Sequence, residues 1–258
     1  FFVMIGALMF LGCPIRMILR LGGGDLNALF GIAGFAGGIG FGTIFLKKGY
    51  SLQRTYALSK LESAMMPAIQ VGLLVLVVTA PAFIFFSQKG PGAMHAPWLI
   101  SLAAGLVVGG LSQFSRLCTV GGFRDLFLFK KSILIFGYLA VLVGVFVVNI
   151  SFGNFHLGFE NQPIAHTDGL WNFLGMALAG FCSVLLGGCP LRQLIMTGEG
   201  NSDSAVTVLG LAAGAAFAHN FGLAASGAGP TLNGEIAVGV GFVVAFIIAV
   251  LNTKRSNA

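Results

Sequence analysis

Between Ile133 and Ile150 the chain reads ILIFGYLAVLVGVFVVNI, eighteen residues without one charged side chain. A run of that length crosses the hydrocarbon core of a bilayer as a helix, which takes about 17–25 apolar residues. Inside lipid every backbone N–H and C=O must be paired within the protein, so helix is the natural form for such a segment. Comparable runs predict spans at 1–12, 28–46, 65–86, 97–113, 133–152, 170–187, 204–225 and 235–252. The expected fold is an all-α polytopic membrane protein with about eight hydrophobic segments. Composition agrees: 57% of the residues are hydrophobic and 9% charged, against roughly a quarter charged in soluble domains. Residue 1 is a phenylalanine already inside an apolar run, so the numbering is expected to start partway into a longer protein, with its first span truncated.

The net charge of +6 is no sign of nucleic-acid binding, because the basic residues sit in loops, where they set topology. Lys47, Lys48, Arg54 and Lys60 occupy one connection, Arg116, Arg124, Lys130 and Lys131 a second, and Lys254 and Arg255 the tail. These are expected on the cytoplasmic side, C-terminus included. The alternate loops, 87–96 and 153–169, hold only Lys89 as a basic residue besides His95, His156 and His166, and face outward, with Trp98 and Trp171 as interfacial anchors at the spans that follow. The histidines of these loops need no special role. Four cysteines, with no CxxC among them, offer neither a disulfide scaffold nor a zinc signature, and no cofactor, metal or enzymatic activity is expected.

Two stretches break the apolar monotony in the same way. GCPIRMILRLGGG begins at Gly12 and GCPLRQLIMTGEG at Gly188, an offset of 176 residues that aligns Cys13 with Cys189, Gly12 with Gly188, Pro14 with Pro190, Arg16 with Arg192, Gly22 with Gly198 and Gly24 with Gly200. The two copies, carried by residues 1–60 and 170–226 of a single transmembrane domain over 1–258, fall on opposite sides of the membrane in the topology above. That is an inverted repeat, an arrangement in which broken helices meet near the midplane around a substrate site. Gly188 would stop the preceding helix, Cys189 would cap the next, and Pro190 would take the first helical position, where its missing N–H is no loss. Each sulfur then stands at a helix N-terminus, whose free N–H groups and dipole favour anions. Two such ends facing each other make a small anion site lined with sulfur, suited to a soft sulfur anion. Mobile glycines at 22–24 and 198–200 would permit gating.

A third cysteine, Cys118, lies in SRLCTVGGFRDLF beside Gly121 and Gly122, just past the span 97–113, and Cys182 lies in mid-span, where a small buried thiol is the expected reading. His219 and Asn220 fall within a span, as a polar pair unsupported by the repeat, and Glu62 is expected to cap a helix or partner Lys60.

Taken together, GCPIR, RLCTVGGFRD and GCPLR resemble the YeeE/YedE family of bacterial inner-membrane sulfur transporters, and in detail its YedE branch, which is associated with selenium transport. The resemblance implies uptake of thiosulfate or a related sulfur or selenium anion along stacked cysteines, roles that fall here on Cys13, Cys118 and Cys189. It also implies inward-pointing re-entrant helices and a small TusA-like sulfur carrier as cytoplasmic partner. The family's first cysteine motif has no counterpart in this chain. Two further readings use the same residues. In one, the chain is a membrane thiol-redox conduit, passing electrons through cysteine pairs. In the other it is a channel-like or structural subunit, for which paired cysteines have no use.

Overall fold

The computed structural model describes the chain apart from residues 53–58, 81–82, 84–87, 89–92, 94–95 and 254–258 and the side chains of residues 61–63. Arg54, Lys89, His95, Lys254, Arg255 and the side chain of Glu62 therefore lie outside the described residues. The described helices are α1 (Phe2–Phe10), α2 (Pro14–Gly22), α3 (Asn27–Lys47), α4 (Lys60–Thr79), α5 (Trp98–Phe114), α6 (Thr119–Phe129), α7 (Ile133–Ser151), α8 (Gly169–Leu186), α9 (Pro190–Gly198), α10 (Ser202–Asn220) and α11 (Leu232–Leu251). Among the described residues, six stretches are long and apolar enough to cross a membrane, and three of these, Phe2–Gly22, Trp98–Phe129 and Gly169–Gly198, are interrupted helices. Of the eight expected spans, α4 contributes a shorter apolar helix, Ala64–Thr79, and α10 is made largely of small residues. The leucines, valines and phenylalanines of α5, α7 and α11 stay widely exposed, as lipid-facing surfaces do.

The expected antiparallel repeat is present in the packing. Going up α1 means going down α8: Gly6 lies against Ala179 and Met9 against Gly175. In contrast α3 runs with α8, Gly34 meeting Phe173, Gly38 meeting Ala177 and Gly42 meeting Val184, and α1 runs with α10, Phe1 lying against Gly214 and the Ala225 N–H donating to the Leu8 carbonyl. Gly38 against the Ala177 carbonyl and Gly214 against the Phe1 carbonyl are one contact seen twice, each residue displaced by the same 176 positions. Only glycine lets two helices approach that closely.

The loops sort onto two faces. On one, Ser51 N–H donates to the Asn252 carbonyl, the Tyr50 hydroxyl to the Leu185 carbonyl, and the Gln113 side chain to Glu199. On the other, His156 and Gly158 N–H groups donate to the carbonyls of Gly23 and Gly24. The residues grouped on the first face belong to the connections and tail expected to be cytoplasmic, those on the second to the connection expected outside.

Candidate functional site

Each interrupted helix breaks by the same local device. Leu11, Arg116 and Gly187 take the left-handed conformation, with φ of 62°, 52° and 92°. The next N–H then reaches back five residues, Gly12 to Ala7, Leu117 to Ser112 and Gly188 to Ser183, at 2.8–3.0 Å. This closes the last turn and satisfies carbonyls that a helix end would leave unpaired. The helix therefore stops one residue before the glycine named from the sequence: the break is at Gly187 rather than Gly188, and at Leu11 rather than Gly12. Two of the three left-handed residues are not glycine, so part of the strain there is borne by side-chain-bearing backbone.

After each break comes an extended cysteine in the N-cap position of the following helix, and only at Cys118 does the side chain itself make the capping bond. Cys13 and Cys189 have nearly identical backbones (φ −76°, ψ 170° and φ −74°, ψ 162°), and Pro14 and Pro190 follow at the first helical positions. The match continues downstream. Gly24 and Gly200 are both left-handed, and Asp25 and Asn201 both turn a side-chain oxygen back onto the next helix, to the N–H of Asn27 and of Ser204. Cys118 caps α6, its sulfur accepting from the Gly121 N–H at 3.3 Å. The segment 114–132, read from sequence as a basic loop, thus contains a helix that starts at a cysteine and packs alongside α3, Phe123 against Phe35 in an edge-to-face contact.

Two of these helix starts converge. The Cys189 thiol is fully buried and has the Cys118 thiol, the Thr119 N–H and hydroxyl and the Arg192 N–H as near neighbours. The starts of α6 and α9 therefore aim at one point. Tyr138 of α7 stands beside it, its ring edge-to-face with Phe123 and its hydroxyl 3.5 Å from the Pro14 carbonyl at the start of α2, within the electrostatic reach of both Cys13 and Cys189. All four cysteines are free thiols, and Cys13 and Cys118 are half-buried. Cys182 lies apart, packed among Phe242 and its apolar neighbours. No group of three His, Cys, Asp or Glu residues among the described residues is placed to hold a metal ion.

Two clefts approach the helix breaks from opposite faces. One of about 530 Å³ runs from Ser51 and Leu52 to Gly187 and Gln193. The other, of about 620 Å³, runs from Ser226 and Gly227 past His219 to Gly12, Cys13 and Arg16. They use repeat-equivalent positions, Val184 and Gly187 in one and Leu8 and Leu11 in the other.

The supporting residues divide. Gly12 makes room for the Arg16 stem, which folds directly over it, and Gly188 faces Gln193 and Arg192. The Arg192 guanidinium is engaged by Gln113, to which it donates at 2.8 Å, and lies 4.0 Å from Glu199. Asn220 bonds its own helix through the Ala216 carbonyl. Sequence reasoning missed Thr119 and Tyr138, although a hydroxyl directly after a capping cysteine was a visible signal for the first. It also missed His166, which is no idle loop residue. Its ring is buried, Nε2 lies 2.8 Å from the Met9 carbonyl and Asn172 donates to its main chain, so it holds the end of α1 just before the break.

A family model described as Sulphur transport matches residues 114–253, more than half of the chain. The chain belongs to the sulphur transport family, YeeE/YedE. The matched region begins in the last turn of α5 and takes in Cys118 and Cys189 with the helices they start. No curated protein and no solved structure gives a significant match.

Proposed function

We propose that this transporter takes up a small sulfur-containing anion of the thiosulfate class through a path formed by Cys13, Cys118 and Cys189. The observation that supports it is the convergence of the α6 and α9 starts on adjacent thiols, where N–H groups and S–H groups line one point. Helix N-termini stabilise anions through oriented partial charges, and polarisable thiols donate weakly to a terminal sulfur. A hard oxyanion gains less there than a soft one. Selenium analogues share this softness.

The protein then works as a multi-pass inner-membrane transporter with the Lys47, Lys48, Lys130 and Lys131 face and the C-terminus in the cytoplasm, following the positive-inside rule. Residues 1–60 and 170–226 act as the two repeat units of one domain. The cleft at Cys13 is the entry and the cleft at Gly187 the exit, where a TusA-like carrier collects the anion. The test is uptake of labelled thiosulfate into cells or vesicles. Cys189→Ser should abolish it while the protein stays folded and membrane-inserted. Uptake at the normal rate in Cys189→Ser sinks the reading.

The neighbouring thiols of Cys118 and Cys189 also favour a second reading, the redox conduit, with a different pair from the two GCP cysteines. That reading requires a reversible Cys118–Cys189 disulfide during turnover. Thiol trapping that finds both cysteines reduced throughout turnover excludes it.

A further inference from the structure

On the face formed by the 152–168 segment, a cleft of about 440 Å³ opens between α2, α7 and that segment, lined by Arg16, Arg20, Asp25, Asn149, His156 and Gln162. Arg16 lines this cleft and also the adjoining one that reaches Cys13. The charges in it do not balance. Arg20 is buried and fixed: Nε donates to Asp25 at 2.6 Å, one terminal nitrogen donates to the Phe10 carbonyl at 2.5 Å, and the guanidinium lies 4.0 Å over the Phe10 ring. Its other terminal nitrogen, Nη2, is buried without a partner. Asp25 is committed to Arg20 and to Asn27. Arg16 finds no hydrogen-bond acceptor or carboxylate among the described residues, and its Nε too is buried and unpartnered. Arg16 stands close enough to Arg20 for the two charges to repel. Two neighbouring guanidiniums with one shared-out carboxylate leave a positive charge and two buried donors unmet, and buried unmet donors are costly unless a ligand meets them.

The other half of the repeat has no such imbalance. Arg192, the counterpart of Arg16, is occupied by Gln113 and Glu199, and Glu199 stands where the first repeat has Gly23. The counterpart of Arg20 is Met196.

We propose that the Arg16–Arg20 cleft is an anion-loading site, holding a small tetrahedral oxyanion between the two guanidiniums before it passes to Cys13. Arg20 is the fixed wall and Arg16, on its longer reach over Gly12, the arm that joins this cleft to the next. Guanidiniums read charge and oxygen geometry, so the site gathers dianions of this shape, and the choice of sulfur is left to the thiols. The halves differ in charge, so the anion is attracted on one face and not held on the other. The site rests on the transport reading only for its place in the path; anion binding itself can be measured without transport.

The experiment is calorimetric binding of thiosulfate to the purified full chain in detergent, with sulfate as competitor. Wild type should bind saturably, sulfate should displace thiosulfate, and Arg16→Gln should bind roughly ten- to a hundredfold more weakly, the worth of a charged hydrogen bond. Phenylglyoxal labelling needs no variant: it should modify Arg16, and thiosulfate or sulfate should block the modification. Unchanged affinity in Arg16→Gln, no saturable binding by wild type, or labelling indifferent to the anion would each overturn the proposal. Cys189→Ser should still bind at this site, so its normal uptake would count against the thiol path alone.

Discussion

Arg20 donates to Asp25 across 2.6 Å inside the first repeat, and the corresponding residues of the second repeat, Met196 and Asn201, form no ion pair. Asp25 also holds the Asn27 N–H at the start of α3, as Asn201 holds the Ser204 N–H at the start of α10. The cap is common to both halves and the charge pair is not. Removing one member strands the other in a buried site, which typically costs about 3–5 kcal/mol, whereas removing both can be nearly neutral. Arg20→Met and Asp25→Asn should each lower the thermal unfolding midpoint in detergent sharply. The double variant, which copies the second repeat, should recover most of the loss. A double variant no more stable than the worse single one would show that the two side chains are not coupled as the geometry requires.

The glycine contacts across the repeat make a second prediction. A methyl group at Gly38 would run into the Ala177 carbonyl, and one at Gly214 would sit 2.6 Å from the Phe1 carbonyl. Backbone cannot yield as a side-chain tip can. Gly38→Ala should therefore cut the yield of folded protein strongly, and Gly214→Ala should lower the melting point. Gly105, on the lipid-facing α5, meets nothing within 4 Å. Its replacement by alanine should be neutral or mildly stabilising, because alanine is the better helix former by about 1 kcal/mol. Size-exclusion profiles and melting curves of the three variants provide the check.

The fold was legible where local pattern decides it. Apolar runs located the helices, although six stretches among the described residues are long and apolar enough to cross a membrane against the eight expected. The 176-residue offset anticipated the repeat with its paired cysteines at the N-cap positions. Cys118 shows where that reasoning runs out. Its surroundings contain Arg116, Arg124, Lys130 and Lys131, so hydropathy alone makes 114–132 a loop. Yet α6 starts there with the same left-handed stop and N-cap cysteine as the GCP motifs. The stop is a main-chain conformation adopted by Arg116 and Leu11 without glycine, and composition carries no trace of it. The meeting of Cys118 with Cys189, and of Tyr138 with Pro14, joins residues 71 and 124 positions apart, and only the packing of α6, α7 and α9 brings them together.

His166 gives stability a pH dependence. Burial is the main influence on its ring and holds its pKa below the ordinary value, helped by the Arg20 charge and opposed by the Met9 carbonyl, Asp168 and Asp25. The folded state thus binds a proton less readily than the unfolded chain. Stability is complete above the unfolded value of about 6.5 and declines as pH falls through the lower folded value. Melting points measured from pH 8 to pH 5 should drop on the acid side, and His166→Gln should flatten that limb while lowering the plateau. An acid limb unchanged in His166→Gln would assign the effect to another group.

Tyr138 separates the path from the scaffold. Its hydroxyl is buried at the junction of the α2 start and the Cys118–Cys189 pair, but its one hydrogen bond among the described residues, to the Pro14 carbonyl, is long at 3.5 Å. A bond of that length holds little structure together, and the ring's packing against Phe123 is kept by phenylalanine. Tyr138→Phe should accordingly melt within a few degrees of wild type. If the hydroxyl donates to the anion as it passes from Cys13 to the thiol pair, uptake of labelled thiosulfate should fall roughly tenfold, the cost of one lost charged hydrogen bond. Binding at the Arg16 cleft should be unaltered in the same preparation. Equal uptake by Tyr138→Phe and wild type would remove the hydroxyl from the path and leave Tyr138 as a packing residue between the two halves of the repeat.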